Sequence, residues 1–184
     1  MHLKHLMYGL LAASLFTAAP LACAQADDAP ATATKTVKKS QASSVAKSLK
    51  KVKSFNGRIN KKAKYYIYLQ SASWCPPCRA EMPEIAKQYA AMEKAGIEII
   101  LCSWDQTTDA AKNFLKTNKV KFPAITKEDA AELPGFVRAN GIPNATFVTA
   151  DGELITSGHG AIVRSWQSII EKWEASQAST AETP

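Results

Sequence analysis

The stretch from Tyr65 to Cys102 constrains the fold most, because its apolar pattern changes period twice around a pair of cysteines. An aromatic and aliphatic run over 65–71 predicts a buried strand. Residues 76–94 then predict a helix that ends at Gly96. The apolar run over 97–102 predicts a second buried strand. A strand, a helix and a strand in this order predict the opening of an α/β sheet.

The rest of the chain predicts a hairpin and further helices. Asp151-Gly152 separates two apolar runs and is a strong hairpin signal. We therefore expect an α/β fold, with a central mixed β-sheet flanked by helices on both faces. The predicted elements are a helix over 107–118, an extended piece over 121–125, a helical stretch over 127–139 interrupted by Pro134-Gly135, strands over 145–149 and 154–157, and a final helix whose buried face is Ile162, Trp166, Ile169 and Trp173.

The N-terminus has the layout of a secretory signal peptide, which we assign to residues 1–24. A polar, partly cationic start precedes an apolar stretch, and small residues surround Cys23 near the cleavage point. A lipoprotein signal also ends in a cysteine, but Pro20 stands where that signal prefers a leucine-like residue. We expect a periplasmic or secreted protein with simple cleavage, and lipid attachment at Cys23 is the alternative.

Basic charge is concentrated in the N-terminal part of the chain. Residues 29–80 contain twelve Lys or Arg and no Asp or Glu, whereas from Glu81 onward there are fourteen acidic and ten basic residues. Within this stretch, the basic residues before position 55 are not accompanied by the aromatic residues that stack on nucleic acids, so a nucleic-acid partner is not expected. Contact with anionic lipid or with an acidic partner is an alternative to a solvated linker.

The domain boundaries follow from these changes in composition. Residues 25–54 are predicted to be a basic, disordered tether, with a short amphipathic helix near 43–53 as an alternative. Residues 55–175 are predicted to form the folded domain, and 176–184 a flexible tail.

The candidate chemistry lies at Cys75 and Cys78, at the start of the first predicted helix. Thiol–disulfide exchange needs a thiolate that attacks a disulfide and a nearby second thiol that resolves the mixed disulfide. A helix N-terminus favours an anion and so stabilises a thiolate at Cys75. Pro76 suits the first helical position, but two prolines remove N–H donors, so we expect only a modest lowering of the Cys75 pKa. A bridge across such a short loop constrains little chain entropy, so a purely structural disulfide is disfavoured.

Metal binding by the same cysteines is a weaker interpretation. A zinc site needs about four ligands, and after the predicted signal peptide the chain offers only His159 and Cys102 in addition to the pair. We expect no metal and no cofactor beyond the redox-active disulfide, with a Cu(I)-handling protein as an alternative. Cys102 is predicted to be a small buried apolar residue, and His159 a loop histidine without a role.

The residues around the pair resemble a known signature. The segment from Trp74 to Pro83 is similar to the W-C-x-x-C-x-x-E-x-P pattern of TlpA/ResA-type thioredoxin-like proteins, and 73–79 with 101–105 also resembles tryparedoxins. Gly141-Ile142-Pro143 resembles the cis-proline region of thioredoxin folds. The resemblance implies a thioredoxin-like fold and an exported thiol–disulfide oxidoreductase, usually a reducing one.

The resemblance also implies roles for individual residues. Cys75 would be the nucleophile, Cys78 the resolving thiol, and Glu81 the acid that tunes the cysteine pKa values. Thioredoxins proper carry a buried acid six residues before the first cysteine, where this chain has Leu69. Glu81 is therefore the candidate general base, and the alternative is that it is a solvated helix residue.

Substrate binding is expected at the rim of the same site. Pro143 would be a cis-proline facing the cysteines, the Ile142 backbone would bond to a substrate polypeptide, and Trp74 and Pro76 would contact it. We expect a monomer that reduces disulfide-containing proteins, with apocytochrome c as a candidate, and that receives electrons from a membrane thiol donor. A disulfide oxidant or isomerase is the alternative with the same residues.

Overall fold

A five-stranded mixed sheet forms the centre of the structure, a computed structural model that describes residues 44–181. Its strands are β1 (Tyr65–Ser71), β2 (Ile97–Ser103), β3 (Ala124–Thr126), β4 (Asn144–Thr149) and β5 (Leu154–His159). Their order is β3-β2-β1-β4-β5. The first three strands are parallel, and β4 and β5 form an antiparallel hairpin beside β1. The mixed sheet predicted from the sequence is thus confirmed.

Helices cover both faces of this sheet, as predicted. They are α1 (Ser44–Ser48), α2 (Pro76–Lys94), α3 (Thr108–Thr117), α4 (Lys127–Ala131) and α5 (Trp166–Ala181), with a 3₁₀ turn over Gly160–Ser165. On one face, apolar side chains of the sheet pack with Met82 and Ile85 of α2, Phe114 of α3 and Trp166 of α5. Burying a side chain of this size stabilises the fold by about 1.5–3 kcal/mol. The other face is covered by α1, α4 and the loop after α4.

The start of the folded region corrects the predicted boundary at residue 55. Val45 and Leu49 are fully buried and pack against Tyr68 and Val148 of the sheet. The Val45 N–H also donates to the Ala150 carbonyl at 3.3 Å. The two apolar positions are one helical turn apart, so α1 and the turn after it bury both, while Lys47 and Lys50 stay in solvent. The structure thus bears out the alternative of a short amphipathic helix near 43–53, and its packing on the sheet extends the folded region into the predicted tether.

The C-terminal helix corrects two further expectations. It continues to Ala181, so the predicted flexible tail does not begin at residue 176. Its most buried residues are Trp166 and Ile170, whereas the predicted Ile169 and Trp173 are only half-buried. The 3₁₀ turn before the helix has about three residues per turn, so a single helical period cannot describe both segments.

The predicted helix over 127–139 is also shorter than expected. α4 ends at Ala131, and the chain then turns through Pro134 and Gly135. Gly135 has φ +74°, a conformation that residues with a side chain rarely adopt. The remaining residues of that stretch form an irregular loop that leads toward the cis-proline.

All of the described residues lie within a single compact unit of the chain, Lys38–Pro184. The predicted signal peptide, Cys23 and residues 25–43 of the predicted tether lie outside the described residues. Within residues 44–181, no helix has the length and apolar character required to cross a membrane.

Candidate active site

The two cysteines lie where β1 ends and α2 begins. Cys75 is the N-cap of α2, with extended backbone angles, and Pro76 and Pro77 occupy the first two helical positions. Because prolines have no N–H, the first free helical donor is the Cys78 N–H, which points to the Cys75 sulfur at 3.3 Å. Cys75 and Cys78 form a disulfide with their Cα atoms 5.3 Å apart. The predicted placement of the pair at a helix start is confirmed.

The disulfide is buried beneath an exposed aromatic rim. Cys75 and Cys78 are 3% and 1% exposed, and Trp104 and Ile142 pack against their cluster. Trp74, immediately before the nucleophile candidate, is 58% exposed. A large apolar side chain that stays in solvent beside a reactive group is available to contact a partner.

The loop facing the disulfide carries the predicted cis bond. The Ile142–Pro143 peptide is cis. The Ile142 carbonyl oxygen lies 3.6 Å from the Cys75 sulfur. The backbone of the cis-proline loop therefore lies directly beside the sulfur of Cys75.

Gln70 holds the loop before the cis-proline to the sheet through hydrogen bonds, a role that was not predicted from the sequence. Its side chain is fully buried next to the end of β1. The Gln70 amide donates to the Val137 carbonyl at 2.9 Å and accepts from the Ala139 N–H at 3.2 Å. A polar residue at the end of an otherwise apolar strand was the available signal, because a buried amide requires partners.

Asp105 fastens the cysteine loop in a similar way. Its carboxylate accepts bonds from the Ser73 backbone N–H at 3.1 Å and the Ser73 hydroxyl at 2.5 Å. It also accepts from the Ser103 hydroxyl at 3.0 Å. The loop that carries Cys75 is thereby joined to the end of β2 through bonds that do not involve sulfur. The sequence showed Asp105 only as part of a resemblance and did not indicate this function.

Glu81 lies one turn after Cys78 in a confined space. Its side chain is 14% exposed, which excludes the alternative of a solvated helix residue. Gly160 closes one side, because a Cβ added there would lie 2.9 Å from Glu81 Oε2 and 2.7 Å from the Pro143 Cβ. Oε2 is buried and has no hydrogen-bond partner among the described residues. Oε1 lies 3.6 Å from Nδ1 of His159, which is 59% exposed.

Two other positions are as the sequence suggested. Leu69 is buried in the core against Met82, so no acid occupies the place used by thioredoxins proper. Cys102 is a fully buried free thiol on the opposite face of the sheet, and burial raises the pKa of this thiol strongly. Among residues 44–181, no group of three or more His, Cys, Asp or Glu side chains is arranged to hold a metal ion.

Solved structures with a similar fold agree with this architecture. Native tryparedoxin I from Crithidia fasciculata aligns with a TM-score of 0.52 and 21% identity, covering 68% of this chain and 92% of that one. A putative thiol:disulfide interchange protein DsbE from Chlorobium tepidum aligns with a TM-score of 0.51 and 19% identity, covering 66% and 93%. At this identity the comparison establishes the fold, and it confirms the predicted thioredoxin-like architecture.

Sequence relatives agree with the predicted TlpA/ResA-type resemblance. A protein named thiol-disulfide oxidoreductase ResA from a strain of Bacillus cereus is 31% identical over 83 residues, which are 45% of this chain and 47% of that protein. The protein of the same name from Bacillus subtilis is 26% identical over 108 residues, 56% and 60% of the two chains. The match thus spans roughly half the length of these relatives. The model of the AhpC/TSA family matches residues 28–156, and the chain belongs to that family.

Proposed function

We propose that the protein is a thiol–disulfide oxidoreductase that reduces disulfides in other proteins through Cys75 and Cys78. The observation that carries this proposal is the pair itself, bonded at the N-terminus of α2 and facing the cis-proline loop. The names of the relatives from Bacillus, thiol-disulfide oxidoreductase, support the same reaction class.

The reaction starts from the reduced pair. The Cys75 thiolate attacks a substrate disulfide, so that one Cys75–substrate S–S bond forms while the substrate S–S bond breaks. The first substrate sulfur leaves as a thiolate and takes a proton. The Cys78 N–H stabilises the Cys75 thiolate before the attack, because it already points to that sulfur.

The second step closes the protein disulfide. The Cys78 thiol gives its proton to a base and attacks the Cys75 sulfur, which releases the second substrate thiolate. That thiolate takes a proton and leaves as a thiol. Over the two steps, two electrons pass from the protein to the substrate, the Cys78 proton goes to the base, and the two protons that the substrate thiolates take up come from solvent. We assign the base to Glu81, which is one turn from Cys78 and confined beside the cis-proline.

Substrate binding is assigned to the rim of the site. Trp74 is largely exposed, and Pro76 is exposed beside it. The half-buried Ile142 presents its carbonyl beside the sulfur of Cys75. A polypeptide in extended form would bond to this backbone and place its disulfide over Cys75.

Direction and location follow from the N-terminal sequence and the resemblance. We assign residues 1–24 to a signal peptide and place the protein outside the cytoplasm, as a reductase supplied by a membrane thiol donor. Apocytochrome c is a candidate substrate by family analogy. Because an oxidising compartment holds thiols oxidised, this role requires a reduction potential near that of thioredoxin. A potential near that of strong oxidants would instead establish the oxidant or isomerase alternative.

A trapping experiment tests the assigned chemistry. Cys78→Ser removes the resolving thiol, so mixed disulfides with substrates should accumulate at Cys75 when the variant is expressed in exporting cells. Cys75→Ser removes the nucleophile and should trap none. Equal trapping by both variants would refute the roles. A stoichiometric Cu(I) complex that survives glutathione, without disulfide turnover, would favour the copper-handling alternative.

A further inference from the structure

An exposed histidine, His159, lies beside the Glu81 carboxylate. Its imidazole Nδ1 lies 3.6 Å from Oε1, and its side chain is 59% exposed while the Glu81 side chain is 14% exposed. The other carboxylate oxygen, Oε2, is buried next to Gly160. The imidazole is therefore placed to take up a proton from Oε1 and to reach water with the rest of its ring.

We propose that His159 exchanges the proton of Glu81 with water during the resolving step. This inference rests on the proposed function and deepens it, since His159 acts through Glu81 and not on the substrate. Glu81 accepts the Cys78 proton in each turnover and has to lose it before the next one. Imidazole is the side chain suited to this exchange, because it accepts and releases protons near neutral pH.

The hydrogen bonding of the ring sets how the exchange proceeds. Nδ1 accepts a bond from the Ala161 N–H at 3.2 Å, which assigns the ring proton to Nε2 in the resting protein. Nδ1 has one lone pair, so it can serve either Ala161 or a protonated Glu81, but not both. When Glu81 carries the proton, Nδ1 releases Ala161 and accepts that proton, and the imidazolium then gives its Nε2 proton to water. One proton has then moved from Glu81 to solvent and the ring proton is on Nδ1; exchange with water at the exposed ring returns that proton to Nε2 and restores the bond from Ala161.

Among the elements packed around His159, Glu81 is the charged group that faces the imidazole ring. β4, which pairs with β5 beside His159, carries no ionisable side chain. The 3₁₀ turn that follows contributes Arg164, whose side chain is exposed. From α2, Glu81 is the acidic side chain found within 4 Å of His159 among residues 44–181. The 3.6 Å distance exceeds that of a formed hydrogen bond, as is common for catalytic contacts in a resting state.

The decisive variant is His159→Asn. Asparagine keeps an acceptor for the Ala161 N–H and caps the 3₁₀ turn, but it cannot carry a proton at neutral pH. We expect the attack of Cys75 to keep its rate and the resolving step to slow by about ten-fold or more, since general acid–base assistance is usually larger than that. Rapid-quench analysis of the reduced protein with a mixed-disulfide-forming peptide measures both steps, and imidazole added to the buffer should restore the second.

Controls separate a structural effect from the proton exchange. Arg164→Gln changes an exposed cation in the same turn and should leave both steps unchanged. In a Glu81→Gln background, His159→Asn should have no further effect, because the two residues act in series. His159→Asn with wild-type resolution at every pH, and no response to imidazole, would overturn the inference.

NMR of the His159 ring is independent of turnover. In the oxidised protein, Glu81→Gln changes the group that lies 3.6 Å from Nδ1, so the ring nitrogen resonances of His159 should differ from those of the wild type. Unchanged ring resonances would refute the contact between the two residues. Absence of any disulfide turnover in the wild type would instead contradict the proposed function, so the two failures are distinguishable.

Discussion

Two glutamates are buried at opposite ends of the central sheet, and their surroundings differ. Glu98 lies near the start of β2 and is 1% exposed. Its Oε1 accepts from the Tyr89 hydroxyl at 2.8 Å, and its Oε2 from the Asn60 N–H at 2.6 Å. Glu81 lies beside the disulfide, where one oxygen has no partner among the described residues and the other has only the distant His159.

The difference is the basis for assigning a structural role to one acid and for proposing a reactive role for the other. Buried polar groups in native proteins nearly always have hydrogen-bond partners, so a satisfied acid needs no further explanation. Glu98 joins α2 and the segment before β1 to the sheet, and burial raises its pKa to about 7 although the bonds from Asn60 and Tyr89 lower it. Glu81 has free acceptor capacity one helical turn after Cys78, which fits the proposed uptake and release of a proton.

The largest expected effect is on stability, from Glu98→Ala. The Tyr89 hydroxyl and the Asn60 N–H would lose their partner in a buried site, so we expect a loss of about 2–4 kcal/mol in the free energy of unfolding. Disulfide exchange at a permissive temperature should be unchanged. Denaturant unfolding and an exchange assay measure the two properties. If exchange were lost while stability stayed at the wild-type value, the division between the two acids would be wrong.

The second effect is on the pH dependence of stability. Because the folded pKa of Glu98 is about 7 and the unfolded one about 4.5, the folded protein binds more protons between these values. Its stability should therefore fall as pH rises from 4.5 through 7, by about 1–3 kcal/mol. Glu98→Gln removes this group, so its stability relative to the wild type should rise over the same range. Parallel stability curves for the two proteins would contradict the assignment.

The third effect comes from filling the space beside Glu81. Gly160→Ala places a Cβ against Pro143 and the carboxylate, so we expect about 1–2 kcal/mol of destabilisation and slower exchange. Gly158→Ala is the matched control, since its Cβ would meet only Ile162 atoms at 3.7 Å. Thermal unfolding and exchange rates compare the two variants. Equal behaviour would show that the Glu81 site tolerates crowding.

The smallest effect on stability is expected for Glu81→Gln. The carboxylate has no close hydrogen bond to lose, so the free energy of unfolding should change by less than about 1 kcal/mol. The pH–rate profile of disulfide reduction should change, because the amide cannot accept the Cys78 proton. The same profile measured for Glu98→Gln should match that of the wild type. An unchanged profile for Glu81→Gln would remove Glu81 from the mechanism.

Sequence patterns predicted those elements whose bounds are set by residues close together in the chain. The bounds of β1 and α2 agree with the prediction, because periodicity, the prolines and Gly96 mark them within one stretch of chain. The cysteine pair could be located for the same reason, whereas Glu81 and the cis-proline opposite the pair were expected from the family resemblance. Local patterns did not predict other contacts between distant segments, and Glu98, which bonds to Asn60, was assigned only to an apolar strand.

The same limit explains why the packing of α1 on the sheet and the role of Gln70 were not predicted. Val45 and Leu49 are buried only because they cover one face of the sheet, and that face is formed by strands far along the chain. Gln70 bonds to the backbone of Val137 and Ala139, which no periodicity relates to it. A single polar residue at the end of an apolar strand can thus hold a distant loop in place through hydrogen bonds to its backbone.

The Asp105 carboxylate has a consequence for partner exchange. Because it holds Ser73 through bonds that do not involve sulfur, we expect the loop to stay anchored when the Cys75–Cys78 bond is broken. The oxidised and reduced proteins would then present nearly the same backbone to their partners. The reacting sulfurs would keep their orientation through a cycle. A donor and a substrate would dock on one shared surface in turn, distinguished by the state of their own sulfurs and not by a change of shape.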